Sequence, residues 1–141
     1  MADQLSLEGL EKILAQFQSP EARGKFLSRY SRLSESFPQY GDELIAYFES
    51  HGKFVDAALI ARRLNRPEQQ IALYEAGGEY TSAALVAEKL IETSQHPESL
   101  QLRALALYEK AGEYELALRA AKKFLLKEKV ALYRDILETL G

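Results

Sequence analysis

The stretch LYEKAGEYELALRAAKKF, residues 107–124, carries the pattern that decides the fold of this chain. It consists of two short amphipathic runs that meet at Ala111-Gly112. The same pattern occurs earlier as LYEAGGEYTSAALVAEKL (residues 73–90), and in a weaker form as YFESHGKFVDAALIARRL (residues 47–64). A unit that recurs three times in 141 residues predicts a repetitive architecture, although it does not identify a ligand.

The three copies align on one glycine each, and the residues around that glycine recur at fixed distances. One aromatic residue lies four positions before the glycine, and another lies two positions after it. Alanines follow at the fifth and ninth positions, and a large apolar residue follows at the twelfth. Offsets of three and four place these residues on one helix face. In the order of the copies, the set is Gly52, Gly78 and Gly112; Phe48, Tyr74 and Tyr108; Phe54, Tyr80 and Tyr114; Ala57, Ala83 and Ala117; Ala61, Ala87 and Ala121; Leu64, Leu90 and Phe124.

These recurring residues predict an α-helical hairpin. Glycine readily adopts the left-handed conformation that ends one helix and directs the chain into the next. Alanines let two helix axes approach closely, and the aromatic residues fill the space between hairpins. The apolar face of one hairpin is too small to be buried alone, so the hairpins are expected to stack.

The motif G-[EK]-[YF]-x-x-A, with an aromatic residue four positions before the glycine, resembles the central part of a tetratricopeptide repeat. The resemblance extends over about residues 39–125. It implies an all-α fold, namely a short α-solenoid of about nine antiparallel helices. Three tetratricopeptide-like hairpins would lie between N-terminal and C-terminal capping helices.

The copies depart from the tetratricopeptide pattern at three points. In the second helix of each hairpin, the order of alanine and bulky residue is exchanged, so that alanine comes first. The small residue expected three positions before the first-helix aromatic is Ile45, Ile71 or Leu105 instead. The glycines are 26 and then 34 residues apart. The short first spacing is closer to the helical hairpins of coat-protein and intraflagellar-transport α-solenoids.

The copies also predict how the chain is organised. Residues 1–141 are expected to form a single domain. Within it, residues 1–38 are predicted to form an N-terminal capping pair of helices, and residues 39–125 the three hairpins. Residues 126–141 are predicted to form a C-terminal capping helix.

Residues 114–140 are compatible with two arrangements. Their apolar spacing predicts either two helices that separate near residues 125–128 or one continuous helix, because no glycine or proline lies between them. The first helix of the third hairpin is predicted to be longer than that of the second, which accounts for the longer glycine spacing.

The composition predicts a water-soluble, cytoplasmic protein with a substantial core. Hydrophobic residues make up 47% of the chain, the net charge is −3, and there is no cysteine. Neither a disulfide framework nor a thiolate metal site is therefore expected. No apolar run approaches the length of a membrane span, and the N-terminus is unlike a signal peptide.

No pattern in the sequence predicts an enzyme, a cofactor or a metal site. His51 and His96 both lie in predicted turns, where a histidine is usually a surface residue. Neither a zinc-binding motif nor a phosphate-binding loop occurs, and no serine is paired with an activating histidine in a known motif.

Two groups of basic residues suggest an alternative function. Lys25, Arg29 and Arg32 share a face of the predicted second helix, and a lysine group lies near the C-terminus. Solvated helix faces are the favoured interpretation, because acidic residues are interleaved with the rest of both surfaces and the net charge disfavours nucleic acid. Binding of RNA or anionic lipid is the alternative. The C-terminal group is Lys122, Lys123, Lys127 and Lys129.

The resemblance also implies a binding groove, because the first helices of tetratricopeptide-like hairpins line a concave surface. The residue after the first-helix aromatic is glutamate in every copy, and the residue two positions before it is alanine. Carboxylates above an alanine floor favour an extended or helical segment that carries Lys or Arg. The favoured interpretation is that glutamate is only a good exposed helix former here, and an acidic groove is the alternative. The predicted groove residues are Ala46, Glu49, Ala72, Glu75, Ala106 and Glu109.

The best-known peptide-binding mode of the family clamps a C-terminal carboxylate with basic residues of the first helices. The corresponding positions here include Asp42, Glu68 and Leu102, which would repel or ignore a carboxylate. The chain is therefore not expected to be a receptor for chaperone tails.

Three functions remain after these considerations. The first is a non-enzymatic scaffold or adaptor that binds a peptide or helix of a partner protein in its concave groove, with a basic segment as one candidate ligand. The second is a structural subunit that associates with copies of itself or stacks in a larger assembly, since a short solenoid has open ends. The third is an RNA-binding helical-repeat protein.

Overall fold

The computed structural model describes residues 38–141, and this part of the chain is entirely α-helical. The predicted all-α class is therefore confirmed for these residues, which form seven helices and no strand. The predicted N-terminal capping pair lies outside the described residues, so the total of nine helices and the solenoid arrangement stay predictions. In chain order the helices are α1 (Pro38–Ser50), α2 (Phe54–Arg63), α3 (Pro67–Ala76), α4 (Tyr80–Ile91), α5 (Pro97–Ala111), α6 (Tyr114–Lys123) and α7 (Lys127–Leu140).

The chain divides into two compact units, residues 1–73 and residues 74–141. In the first unit α1 packs against α2. In the second unit α4 packs against α5, α5 against α6, and α6 against α7. The boundary between the two units falls within the helix α3, which is continuous across it. The expectation that the chain forms a single domain stays a prediction.

Each predicted corner glycine has the left-handed backbone that its turn requires. The φ angle is 70° at Gly52, 77° at Gly78 and 72° at Gly112. At each corner the glycine amide donates to the carbonyl three residues earlier, and the next amide donates to the carbonyl five residues earlier. This Schellman arrangement satisfies carbonyls that the end of a helix leaves without partners. The three turns predicted at these glycines are confirmed.

The second helices of the hairpins, α2, α4 and α6, each bury a face of alanine. Every alanine of these faces has at most 1% of its surface exposed. Side chains this small allow close approach of the neighbouring helices at ordinary packing density. The predicted positions on the inner face are therefore confirmed. The buried alanines are Ala57, Ala58 and Ala61 on α2, Ala83, Ala84 and Ala87 on α4, and Ala117, Ala120 and Ala121 on α6.

Two further corners end α2 and α6 with a left-handed residue that is not glycine. The φ angle is 57° at Asn65 and 59° at Leu125, and both corners have the same hydrogen bonds as the glycine corners. The second corner separates α6, which ends at Lys123, from α7, which begins at Lys127. Residues 114–140 therefore form two helices rather than one.

Helix α5 is longer than α3, with 15 residues against 10. Helix α5 ends directly before Gly112, whereas Gly77 separates the end of α3 from Gly78. Helix α5 has Pro97 at its start, where proline is tolerated. The additional residues therefore lie at the N-terminal end of α5. The longer first helix accounts for half of the longer glycine spacing, and the other half lies in α4 and the loop that follows it.

Candidate partner-binding face

The predicted groove residues lie on the exposed sides of α1, α3 and α5. Each alanine of the set is exposed, as is Glu49, whereas Glu75 and Glu109 are half-buried. Glu75, Ala106 and Glu109 come together in the unit of residues 74–141. The remaining predicted residues, Ala46, Glu49 and Ala72, belong to the other unit.

Glu75 does not present a free carboxylate, because Arg103 binds it. The Nε and Nη2 atoms of Arg103 lie 3.1 and 2.9 Å from the same carboxylate oxygen of Glu75. Both side chains remain about one-third exposed, so the pair contributes no more than about 1 kcal/mol. Its main effect is geometric, since it ties the end of α3 to the middle of α5.

Glu109 is held in a similar way by α7. The hydroxyl of Tyr133 donates a 2.6 Å hydrogen bond to the Glu109 carboxylate, and the Lys129 Nζ atom lies 3.7 Å from the same oxygen. Tyr133 is fully buried. Burial raises the pKa of the Tyr133 hydroxyl far above its usual range, and the hydrogen bond to Glu109 raises it further. The hydroxyl is therefore a proton donor at any physiological pH.

A second buried tyrosine, Tyr108 on α5, donates its hydroxyl to Glu88 on α4. Burial raises the pKa of the Tyr108 hydroxyl far above its usual range, with a further contribution from Glu88. The nearby Arg119 lowers this pKa, but by less than the other two effects raise it. Two successive first helices are thus each anchored by a buried tyrosine that donates to a glutamate of an earlier helix.

Tyr108 and Tyr133 occupy equivalent positions in a tripeptide that recurs in α3, α5 and α7. The role of α7 as a C-terminal capping helix stays a prediction. The tripeptide Ala-Leu-Tyr occurs at residues 72–74, at residues 106–108 and again at residues 131–133. This recurrence could have been found in the sequence. It was missed because α7 has no corner glycine on which to align it.

A basic depression lies where α6 meets α7. It has a volume of about 330 Å³, and both cationic and apolar side chains line it. Within residues 38–141, none of its cations forms an ion pair, whereas Lys129 is drawn towards Glu109. Arg134 and Leu125 were not among the residues that the sequence singled out. The lining residues of this basic depression are Lys122, Leu125, Lys127, Val130, Ala131 and Arg134.

Leu125 combines two unfavourable features at the edge of the basic depression. Its left-handed backbone, with φ of 59°, costs a residue with a side chain about 1–2 kcal/mol. Its side chain is also 84% exposed. At the corresponding corner of α2 the chain has Asn65, a residue type that tolerates this conformation.

Leu132 on α7 is less covered than its equivalents on earlier first helices. It is 44% exposed, while Leu73 and Leu107 are each 4% exposed. The equivalent positions are thus buried on α3 and α5 and open on α7.

The two histidines lie at the surface, as their positions in turns predict. The ring of His51 stacks on Tyr47, with 4.2 Å between centroids, and its Nδ1 atom lies 2.9 Å from the Tyr47 carbonyl. His96 is exposed and directly precedes α5. Among residues 38–141, no three His, Cys, Asp or Glu side chains are grouped so that they could hold a metal ion.

Comparisons of the chain with models of protein families, with curated proteins and with solved structures gave no significant match. Within the part of the chain that the structure describes, every helix is too short or too polar to cross a bilayer.

Proposed function

We propose that this protein is a non-enzymatic scaffold that binds a segment of a partner protein along the exposed side of its first helices. The observation that carries the proposal is one exposed alanine between buried neighbours, which is Ala106 on α5 and recurs as Ala72 on α3. Beside Ala106, the paired side chains of Glu75 and Arg103 border this side. A small-residue floor between ordered polar groups supports docking of a helix or an extended segment.

The sequence predicts a row of free glutamates that would attract a basic partner. The structure supports such a partner less strongly. Glu75 and Glu109 each have a cationic partner within the protein, so a lysine or arginine of the ligand would compete with Arg103 or Lys129. Glu49 is exposed and forms no ion pair with residues 38–141. We therefore propose that shape contributes more than charge to recognition on this side.

Selection from a displayed peptide library on the folded protein tests the proposal. The affinity of selected peptides would be measured by fluorescence anisotropy for the wild type and for Ala106→Trp, which fills the floor. We expect Ala106→Trp to weaken binding at least about tenfold. Leu85→Trp, at an exposed position on the second helix α4, is the matched control and should leave affinity unchanged. Failure to enrich any peptide, or equal affinity for Ala106→Trp, would contradict this function.

Self-association is a second candidate function, favoured by the exposure of Leu132. The equivalent leucines of α3 and α5 are buried, so a copy of the chain that covered α7 would bury an apolar surface. Sedimentation of the wild type and of Leu132→Gln at roughly tens of micromolar would separate the candidates. A dimer that Leu132→Gln dissociates supports this function, and a wild-type monomer argues against it.

A further inference from the structure

The basic depression between α6 and α7 is lined by two chemically different kinds of side chain. Lys122 comes from the last turn of α6, while Lys127 and Arg134 come from α7. The other lining residues, Leu125, Val130 and Ala131, are apolar. None of the lining residues is acidic. A ligand that complements this lining combines negative charge with an apolar group.

The conformation of Leu125 is the second, independent observation at this place. A leucine with a left-handed backbone and an exposed side chain gains neither local stability nor burial within residues 38–141. Asparagine or glycine would suit the corner better, as Asn65 does at the end of α2. Strained residues of this kind concentrate at binding sites, where their side chains serve a ligand.

We propose that the basic depression binds an acidic segment of a partner protein that carries an apolar side chain. The apolar side chain packs on Leu125, Val130 and Ala131, and flanking Asp or Glu carboxylates pair with Lys122, Lys127 and Arg134. This inference rests on the proposed scaffold function and adds the chemistry of one partner. It uses a site outside the six residues that the sequence predicted.

A protein segment fits this site better than a nucleic acid or a membrane surface. No aromatic side chain lines the depression, so bases would have no platform on which to stack. Helix α7 also carries Glu128, Asp135 and Glu138. Glu138 lies one turn beyond Arg134, on the same side of the helix as the lining residues. An extended array of phosphates would meet these carboxylates, whereas a short segment avoids them.

The first experiment selects peptides from a displayed library in which one apolar residue is flanked by randomised positions rich in Asp and Glu. Binding of the selected peptides is then compared for the wild type, Lys127→Glu and Arg134→Glu. Each charge reversal should weaken binding at least about tenfold, and added salt should weaken it as well. Lys127→Glu places a carboxylate in the first turn of α7, which the helix dipole favours, so unfolding would not explain the loss.

Lys123→Glu is the matched control for charge. Lys123 is exposed, directly follows Lys122 and does not line the depression, so its reversal changes the net charge equally. We expect it to change affinity less than about threefold. If Lys123→Glu weakens binding as strongly as Lys127→Glu, the attraction is diffuse and the proposed site is wrong.

Leu125→Asn separates binding from stability. This substitution should raise the thermal unfolding temperature, because asparagine tolerates the left-handed backbone, and yet lower peptide affinity about tenfold. Equal affinity of Leu125→Asn and the wild type would overturn the proposal. So would tighter binding of a single-stranded RNA or of phosphatidylserine vesicles that Lys127→Glu and Arg134→Glu abolish.

The two proposals fail in distinguishable ways. Peptides that Ala106→Trp weakens and Lys127→Glu does not would retain the scaffold function and remove the acidic-segment site. If no peptide from either library binds, both proposals are wrong.

Discussion

The hydroxyl of Tyr133 donates a 2.6 Å hydrogen bond to the carboxylate of Glu109, which lies 24 residues earlier in the chain. This contact joins α7 to α5, although α6 lies between them in sequence. Tyr133 is fully buried while Glu109 is half-exposed, so one bond links the core to the surface. The position of the carboxylate on the proposed binding side is therefore fixed from within the protein.

Removal of this hydrogen bond should destabilise the protein measurably. We expect Tyr133→Phe to lower the free energy of unfolding by about 1–2 kcal/mol, since the acceptor is charged but partly hydrated. Tyr133→Ala should cost about 3–5 kcal/mol, because it also leaves a cavity. Urea unfolding followed by circular dichroism measures both. Tyr47→Phe, a half-buried tyrosine on α1, is the control and should stay within about 0.5 kcal/mol of the wild type.

Alkaline pH should destabilise the fold through the same tyrosines. Burial raises the pKa of Tyr108 and of Tyr133 in the folded state, while the unfolded chain ionises near pH 10. The folded state thus retains its protons longer, so its stabilisation is complete below about pH 10 and is lost as the pH rises further. The urea midpoint should fall above about pH 10. In a variant with both Tyr108→Phe and Tyr133→Phe, the urea midpoint should fall less above about pH 10. If the midpoint of this variant falls with pH as steeply as that of the wild type, this account is wrong.

Substitution of Gly112 is predicted to destabilise the protein only through the backbone conformation that it requires. A Cβ atom added there meets no heavy atom within 4 Å, so only the φ angle of 72° opposes substitution. Gly112→Asn should cost less than about 1 kcal/mol, and Gly112→Val about 2 kcal/mol or more, because a β-branched residue strongly disfavours this region. Thermal unfolding of the two variants tests the order. Equal losses would indicate that the left-handed corner does not limit stability.

The alanine faces predict opposite outcomes for one substitution at two sites. Ala117 on α6 is fully buried, so Ala117→Leu should cost about 1–3 kcal/mol through overpacking. Ala106 on α5 is exposed, so Ala106→Leu should change stability by less than about 0.5 kcal/mol. Chemical denaturation distinguishes them. A tolerated leucine at residue 117 would mean that the helices of the hairpin are not closely packed.

The turns and the buried faces could be predicted because short-range patterns encode them. A corner such as Gly78 needs a left-handed residue, and Ala83 and Ala87 share a face whatever lies opposite. The pairing of Glu75 with Arg103 spans 28 residues. The sequence alone does not show which side chains meet over such a separation. The predicted row of free carboxylates therefore included Glu75 and Glu109, which both have partners within the protein.

The basic depression escaped prediction for a related reason. Leucine gives no sign that it will adopt a left-handed backbone, so the sequence around Leu125 predicts a helix boundary and a continuous helix equally well. Arg134 on α7 occupies the position that Glu75 and Glu109 have in the two earlier Ala-Leu-Tyr helices. This change of sign becomes visible only after α7 is aligned without a glycine.

The exposed alanines of the first helices have a consequence for the thermodynamics of recognition. A methyl group has no rotamers, so covering Ala106 or Ala131 removes no side-chain entropy from the protein. Arg103, the long side chain one turn before Ala106 on α5, is already restrained by its pairing with Glu75. The entropy lost on association must then come largely from the incoming segment. Ligands constrained in advance, such as stapled or cyclised peptides, should therefore gain more affinity here than on a surface of flexible lysines and glutamates.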